Sequence, residues 1–379
     1  MNSVRRVLIS LSACLLVACS TDRTTTEPVE IPMDAVTQAT EKLTRDNGVP
    51  GAQATLTSGA QQRLVNSGVG DRATGAPFPD NAHLRIGSNT KTFVATVAMQ
   101  LAAEGRLELD APVTRYLPAV FDSAATRPAG LTVRQLMQHM SGLPDYTENP
   151  ELDAESARYR VFEPRYLVDL ALRSAPAHFE PGARWEYSNT NYLVVGMIIE
   201  QITGTSIAEA VHERIVAPLG LQATRFPAPG ESGLDDPHPV GYALADGQAF
   251  DYTDFEPSWA GAAGAMVSTA AELNRFFLAL LAGRLVPPPQ LAEMQHTVPA
   301  DEMSPGFRYG LGIARIPVSC GREVWGHGGS ILGFRTRGGA TTDGDAVTVT
   351  VNAHPSNGGA ATDMLAVVDA ALCPAKKAG

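Results

Sequence analysis

The chain has 379 residues, of which 44% are hydrophobic and 18% charged, and its formal net charge is −11. That length buries a substantial core as one or two domains, and the composition excludes a disordered chain and a coiled coil. The acidic balance makes nucleic acid and anionic membrane surfaces poor partners.

Arg5 and Arg6 precede an apolar stretch, Val7–Val17, that runs into Ala18-Cys19. This is the layout of a signal peptide over residues 1–18, too short to span a bilayer as an ordinary helix. Leu16-Val17-Ala18-Cys19 resembles the bacterial lipobox, so Cys19 is the expected lipidation site, with free secretion as the alternative. Residues 19–33, rich in threonine, read as a flexible tether. Membrane contact is therefore expected only through a lipid anchor.

Short apolar runs over Val49–Val65, broken at Gly59, and the alternating Leu84-Arg85-Ile86 read as strands. A helix opens near Ser88, carries Phe93, Val94, Val97, Ala98 and Leu101 on one face, and stops at Gly105. The middle of the chain is mostly helical: Val133–Met140, Arg165–Leu172, Asn191–Ile202 and Ser206–Ile215. A further helix covers Thr269–Ala282. Strands then return at Tyr309–Ile316, Glu323–Trp325, Ile331–Arg337 and Ala346–Val351, and Asp363–Leu372 closes the chain as a helix. Strands at both ends around a helical block predict an α+β fold: an antiparallel sheet flanked by helices, with an inserted, mainly helical subdomain. The expected parts are 34–95 with 258–379 for the sheet, 96–257 for the helices, and a catalytic cleft between them. Cys14 and Cys19 belong to the export signal. Outside the cytosol Cys320 and Cys373 are expected to form a disulfide, with two inert buried thiols as the alternative.

Three motifs carry chemistry. Ser88 and Lys91 lie three apart on a helix, so their side chains share a face. A serine needs a proton acceptor to become a nucleophile, and an enclosed lysine becomes one as burial brings its pKa toward neutrality. The helix start adds backbone N–H groups for an oxyanion. Lysine is scarce in this chain (Lys42, Lys91, Lys376 and Lys377), which argues against Lys91 being one of many solvated charges. Tyr187-Ser188-Asn189 sits in a loop, where Tyr187 can shuttle a proton and Asn189 offers an amide; a capping turn is the plain alternative. His327-Gly328-Gly329-Ser330 falls between two strand-like runs. Its glycines allow close backbone approach, and Ser330 N–H is a candidate oxyanion donor; a turn with a structural histidine is the alternative. Ser141 is a rival serine without a lysine close in sequence. No Gly-x-Ser-x-Gly, His-Glu-x-x-His, P-loop or Rossmann glycine run is present, so neither metal nor cofactor is expected.

Taken in order, Ser88-x-x-Lys91, Tyr187-Ser-Asn189 and His327-Gly-Gly329 resemble the motif set of serine penicillin-recognising enzymes. The likeness is greatest to secreted Streptomyces-type D-alanyl-D-alanine carboxypeptidases, with class C beta-lactamases and family VIII esterases as relatives. It runs over about residues 35–374 and includes the Leu131–Tyr146 stretch and the Cys320/Cys373 pair. The resemblance implies an acyl-enzyme on Ser88, with Lys91 and Tyr187 handling the proton. It also implies an oxyanion site at the Ser88 and Ser330 N–H groups, Asn189 positioning substrate, and His327 supplying positive potential and supporting Tyr187. One departure stands out. Those carboxypeptidases have an arginine for the substrate carboxylate where this chain has Ala314, followed by Arg315; Arg335 and Arg337 are alternatives from a neighbouring strand. The expected activity is that of a carboxypeptidase on peptidoglycan-type or related D-amino-acid peptides. An esterase or amidase is the alternative, and a beta-lactamase or a non-catalytic peptidoglycan-binding lipoprotein ranks lower. Expected partners are a small peptide or ester substrate and beta-lactams as covalent ligands, with no nucleic acid, on a monomer exported to the cell envelope.

Overall fold

The chain enters the fold through a helix that its sequence hides. Helix α1 (Met33–Asn47) is polar along most of its length and buries only Val36, Thr40, Leu43 and Asn47, about one residue per turn. A stripe that narrow leaves little periodicity to read. The computed structural model describes residues 33–122, 128–152, 155–245, 248–354 and 359–373. The signal segment and Cys19 lie outside the described residues, as does all of the tether before Met33.

Strands β1 (Gly51–Ser58) and β2 (Gln61–Gly68) form the hairpin read from Val49–Val65, and Gly59 takes the turn at φ +56°. After the short β3 (Leu84–Arg85) comes α2 (Thr90–Ala103). Its sequence shows one apolar face, yet every residue from Thr90 to Met99 is buried. Such a helix is enclosed on all sides, and Phe93 stacks on Phe276 with ring centroids 3.7 Å apart. The inserted block holds α3 (Val133–Met137), α4 (Pro164–Ser174), α5 (Thr190–Thr203) and α6 (Ile207–Val211), which passes through a π-helical turn into α7 (Ala217–Leu219). Reciprocal capping boxes, Thr132 with Gln135 and Ser206 with Glu209, start α3 and α6.

A hairpin of β4 (Tyr242–Ala245) and β5 (Gln248–Asp251) precedes α8 (Gly261–Gly264), β6 (Val267–Ser268), α9 (Ala270–Leu281) and α10 (Pro288–Met294). The remaining strands are β7 (Val298–Pro299), β8 (Arg308–Tyr309), β9 (Ala314–Ile316), β10 (Val324–Ile331), β11 (Phe334–Thr341), β12 (Asp345–Val351) and β13 (Ala353–His354), followed by α11 (Gly359–Leu372). The large antiparallel sheet has eight strands in the order β2-β1-β12-β11-β10-β9-β8-β7, so the N-terminal hairpin pairs with the C-terminal strands. Alternate residues of β12 separate the two cores: Val347, Val349 and Val351 pack with Val36, Leu43, Met364 and Val367 from α1 and α11. On the other face Ala346 joins Trp325, Phe276 and the α2 residues. The fold is thus α+β, a large antiparallel sheet flanked by helices with an inserted helical subdomain.

Three strand readings change, the simplest being Ile331–Arg337, which the Leu332-Gly333 turn divides between β10 and β11. Tyr309–Ile316 is not one strand: Gly310 N–H bonds back to Ile313 O at 2.8 Å, and a Cβ on Gly312 (φ +74°) would lie 2.4 Å from Ala95 Cβ. The chain must turn there to clear α2. Conversely, His327–Ser330 does not link two strands but lies inside the continuous β10. Glycine weakens strand propensity, but here its missing side chain is what lets β10 lie against its neighbours.

Cys320 and Cys373 are joined by a disulfide that pins the end of α11 to the segment before β10. Closing a 53-residue separation restricts the unfolded chain, a stabilisation of about 2–4 kcal/mol. The paired Cys320→Ser, Cys373→Ser variant is expected to lose that much in denaturant unfolding while keeping its activity at 25 °C, because neither residue lines the cleft described next.

Candidate active site

Ser88 occupies a 3-10 turn, Gly87–Asn89, that runs directly into α2. The turn is wedged against β10: a Cβ on Gly87 (φ +50°) would lie 2.7 Å from Ser330 N, and one on Gly329 would lie 1.9 Å from Ile86 O. Glycine at these positions brings the Ser88 turn and the Ser330 backbone to the same end of one cleft. Gly329→Ala is therefore expected to push β10 off the turn, lowering stability by about 1–3 kcal/mol and activity at least tenfold. Thermal unfolding and steady-state kinetics on the same sample check both.

Lys91 is fully buried, and its Nζ reaches three oxygens: Ser88 Oγ at 3.0 Å, Asn189 Oδ1 at 2.8 Å and Ala263 O at 2.8 Å. Burial lowers its pKa from the usual 10.5 to about 7, against a smaller opposing pull from Asp145. Asn189 Nδ2 and Asn189 N both donate to Asp145 Oδ2, at 2.8 and 2.9 Å, which fixes the amide with Oδ1 toward the lysine. Asn189 Oδ1 and Ala263 O can only accept, so they take the two N–H bonds of a neutral amine. The remaining lone pair then faces Ser88 Oγ. This is the arrangement a general base needs.

Tyr187 also hydrogen-bonds Ser88, but burial, reinforced by Asp145, pushes its pKa above the ordinary value against the opposing effects of Ser88 and Arg337. Its phenol stays protonated at neutral pH, so Tyr187 enters the reaction as a proton donor. Its ring lies on His139, with centroids 4.2 Å apart. His139 Nδ1 accepts from Ser188 N and from Asn191 Nδ2, clamping the Tyr187–Asn189 loop to α3.

His327 is buried, and its Nε2 meets Tyr309 OH at 2.9 Å. Burial, with Lys91 nearby, lowers its pKa to about 3, so the ring is neutral. The expected positive potential is therefore absent from His327, and its side-chain partner is Tyr309 rather than Tyr187. On β9, Ala314 and Ile316 line the cleft, whereas Arg315 between them turns to the opposite face and pairs with Glu323 at 3.2 Å. Strand alternation thus removes Arg315 from the site. Gly328 and Ser330 do line it, together with Arg337.

The cleft encloses about 610 Å³ and has an apolar wall of Trp185, Met303, Phe307 and Ile316. The eight-residue β10 pairs with β9 only as far as Gly326, which leaves the His327–Ile331 edge open along it. Asp145, Ala263, His139 and Tyr309 are site residues that the motif reading did not single out. Asp145 had a signal, since Pro144-Asp145 is a turn pair that caps the following 3-10 helix. Ser141, the rival nucleophile, is buried and donates to Asn191 Oδ1 at 2.6 Å. Among the described residues no group of three or more His, Cys, Asp or Glu side chains is placed to hold a metal ion.

Comparison with known proteins agrees with this geometry. The beta-lactamase family profile matches residues 36–372. The solved structure of a D-stereospecific amidohydrolase from Streptomyces sp. superposes with a TM-score of 0.82 at 37% identity, covering 90% of this chain and 99% of that one. Esterase EstB of Burkholderia gladioli is 30% identical over 301 residues, 68% of this chain and 75% of the esterase. A D-aminopeptidase of Cereibacter sphaeroides is 27% identical over 344 residues, and the chain spans 63% of its length.

Proposed function

The chain belongs to the beta-lactamase family, and on that premise we propose that it is a serine amidase or esterase acting on D-amino-acid-type substrates through a Ser88 acyl-enzyme. The observation that carries the proposal is the buried Lys91 Nζ, placed 3.0 Å from Ser88 Oγ and held there by Asn189 Oδ1 and Ala263 O, two groups that can only accept. In the reaction Lys91 takes the Ser88 proton as Oγ attacks the substrate carbonyl. The backbone N–H groups of Ser88 and Ser330 receive the oxyanion, and protonated Tyr187 donates to the leaving group and regains a proton from the Lys91 ammonium, which returns Lys91 to the neutral amine. Water then releases the acid, with Lys91 again as base. Asn189 holds the lysine and meets substrate at the cleft edge.

The D-alanyl-D-alanine carboxypeptidase expected from the motifs is the narrower reading. The amidohydrolase and esterase relatives, and the absence of an arginine at Ala314, support the broader one. Residues 1–18, Cys19 and the disulfide support export, with lipid anchoring as the sequence expectation. A panel of a D-amino-acid amide, its L enantiomer, a D-amino-acid ester and a penicillin tests the proposal. Preference for the D amide or ester by at least tenfold is the expected result. Turnover of the L amide alone, or of nothing, would reject it.

A further inference from the structure

His139 is a buried titratable group beside the reacting atoms that the reaction itself does not use, and the fold holds it at a cost. Among the described residues Asn81 and His139 are the only non-glycine residues with positive φ, and His139 stands at +60°. Histidine enters this region more readily than most residues, yet the conformation persists only where the surroundings enforce it. Here they do. The His139 carbonyl accepts from Glu186 N–H at 2.9 Å, and Nδ1 accepts from Ser188 N–H at 3.2 Å and from Asn191 Nδ2 at 3.1 Å. A backbone N–H can only donate, so Nδ1 is unprotonated and the neutral ring carries its proton on Nε2. Burial, with Lys91 and His327 nearby, holds the ring in that neutral state at physiological pH.

Nε2 is buried without a hydrogen-bond partner, which is a second cost. The clamp on Ser188 and Asn191 does not require it. An asparagine at 139 would offer Oδ1 in the place of Nδ1, accept the positive φ, and leave no ring N–H unpaired. What asparagine lacks is the flat ring. The imidazole lies on the Tyr187 phenol with centroids 4.2 Å apart and planes 26° apart. Trp185 is tilted against the same phenol at 6.3 Å, and Lys91 Nζ lies 4.9 Å from its centroid. The phenol is thereby fixed in its plane with its hydroxyl on Ser88, where the leaving group departs.

We propose that His139 is a positioning residue for leaving-group protonation: its ring sets the plane of the Tyr187 phenol and so decides how far the cleft favours amides over activated esters. This rests on the reading of Tyr187 as the leaving-group donor. When an amide C–N bond breaks, the electron pair stays on nitrogen and takes the Tyr187 proton, and the Lys91 ammonium reprotonates the phenolate. A p-nitrophenolate departs as a stable anion without that proton, and the Lys91 ammonium then loses its proton to water. Misaligning the phenol therefore slows amide cleavage and spares the activated ester.

The test compares D-alanine amide with D-alanine p-nitrophenyl ester, which share an acyl group. His139→Asn keeps the acceptor and the backbone conformation but removes the ring. His139→Gly, which also suits positive φ, is the second variant, and thermal melting checks that each is folded. His139→Asn is expected to lose at least roughly tenfold in kcat/KM on the amide and to stay within about threefold of wild type on the ester, as partial loss of a general acid implies. His139→Gly should shift the ratio the same way. In a Tyr187→Phe background, His139→Asn should cost the amide no more than about threefold, because the group it positions is gone. Equal losses on the two substrates, an undiminished loss in the Tyr187→Phe background, or a wild type that cleaves only the ester would overturn the positioning role and leave the Ser88 acyl-enzyme standing. A wild type that cleaves neither substrate and carries no acyl group on Ser88 would overturn both.

Discussion

Exchanging Lys91 for methionine is expected to lower kcat/KM roughly 10³-fold and to abolish its rise with pH. Wild-type kcat/KM should climb about tenfold per pH unit below 7 and level off above it, because the amine becomes a base only after losing its proton at a pKa of about 7. Methionine fills the same buried space but offers no lone pair to Ser88. Stability should respond with the same sign. Between pH 7 and the ordinary lysine value of 10.5 the unfolded chain binds a proton that the folded chain does not, so stability gains with rising pH through that window. The methionine variant loses that contribution. A Lys91→Met enzyme that kept the acid limb in its pH profile would assign the limb to another group.

Removing the nucleophile has the larger effect. Ser88→Ala should cost roughly 10⁴-fold or more in kcat, leaving what binding and the oxyanion donors provide. Substrate affinity should change little, since the cleft walls and the Asn189–Asp145 pair do not depend on the hydroxyl. Ser141→Ala should leave turnover within about tenfold of wild type, as that hydroxyl is committed to Asn191 and to Leu143 N–H inside the protein. The reverse outcome would move the nucleophile to Ser141.

What was legible in the sequence follows from distance along the chain. Ser88 and Lys91 share a helix face by local geometry alone, so their contact could be read directly. The acceptors that orient the lysine amine, Asn189 and Ala263, arrive from 98 and 172 residues away, and only the folded chain shows them converging. Charge state was least legible. His327 sits where a cation was expected, yet burial beside Lys91 keeps it neutral. Arg337, offered only as a substitute for the missing arginine, proves to be the cation that lines the cleft. Arg315 differs from Ala314 by one position, and strand alternation turns that single step into opposite faces. Helix α1 is not legible because its buried stripe is one residue wide, whereas α2 shows its helical period plainly but not its enclosure on every side.

The central claim is a covalent intermediate on Ser88. Acid quenching during turnover of an activated D-amino-acid ester, followed by intact mass and peptide mapping, tests it most directly. The account predicts one acyl group per chain, mapped to Ser88 and absent from Ser88→Ala. An acyl group on another residue, or undiminished turnover by Ser88→Ala, would contradict it.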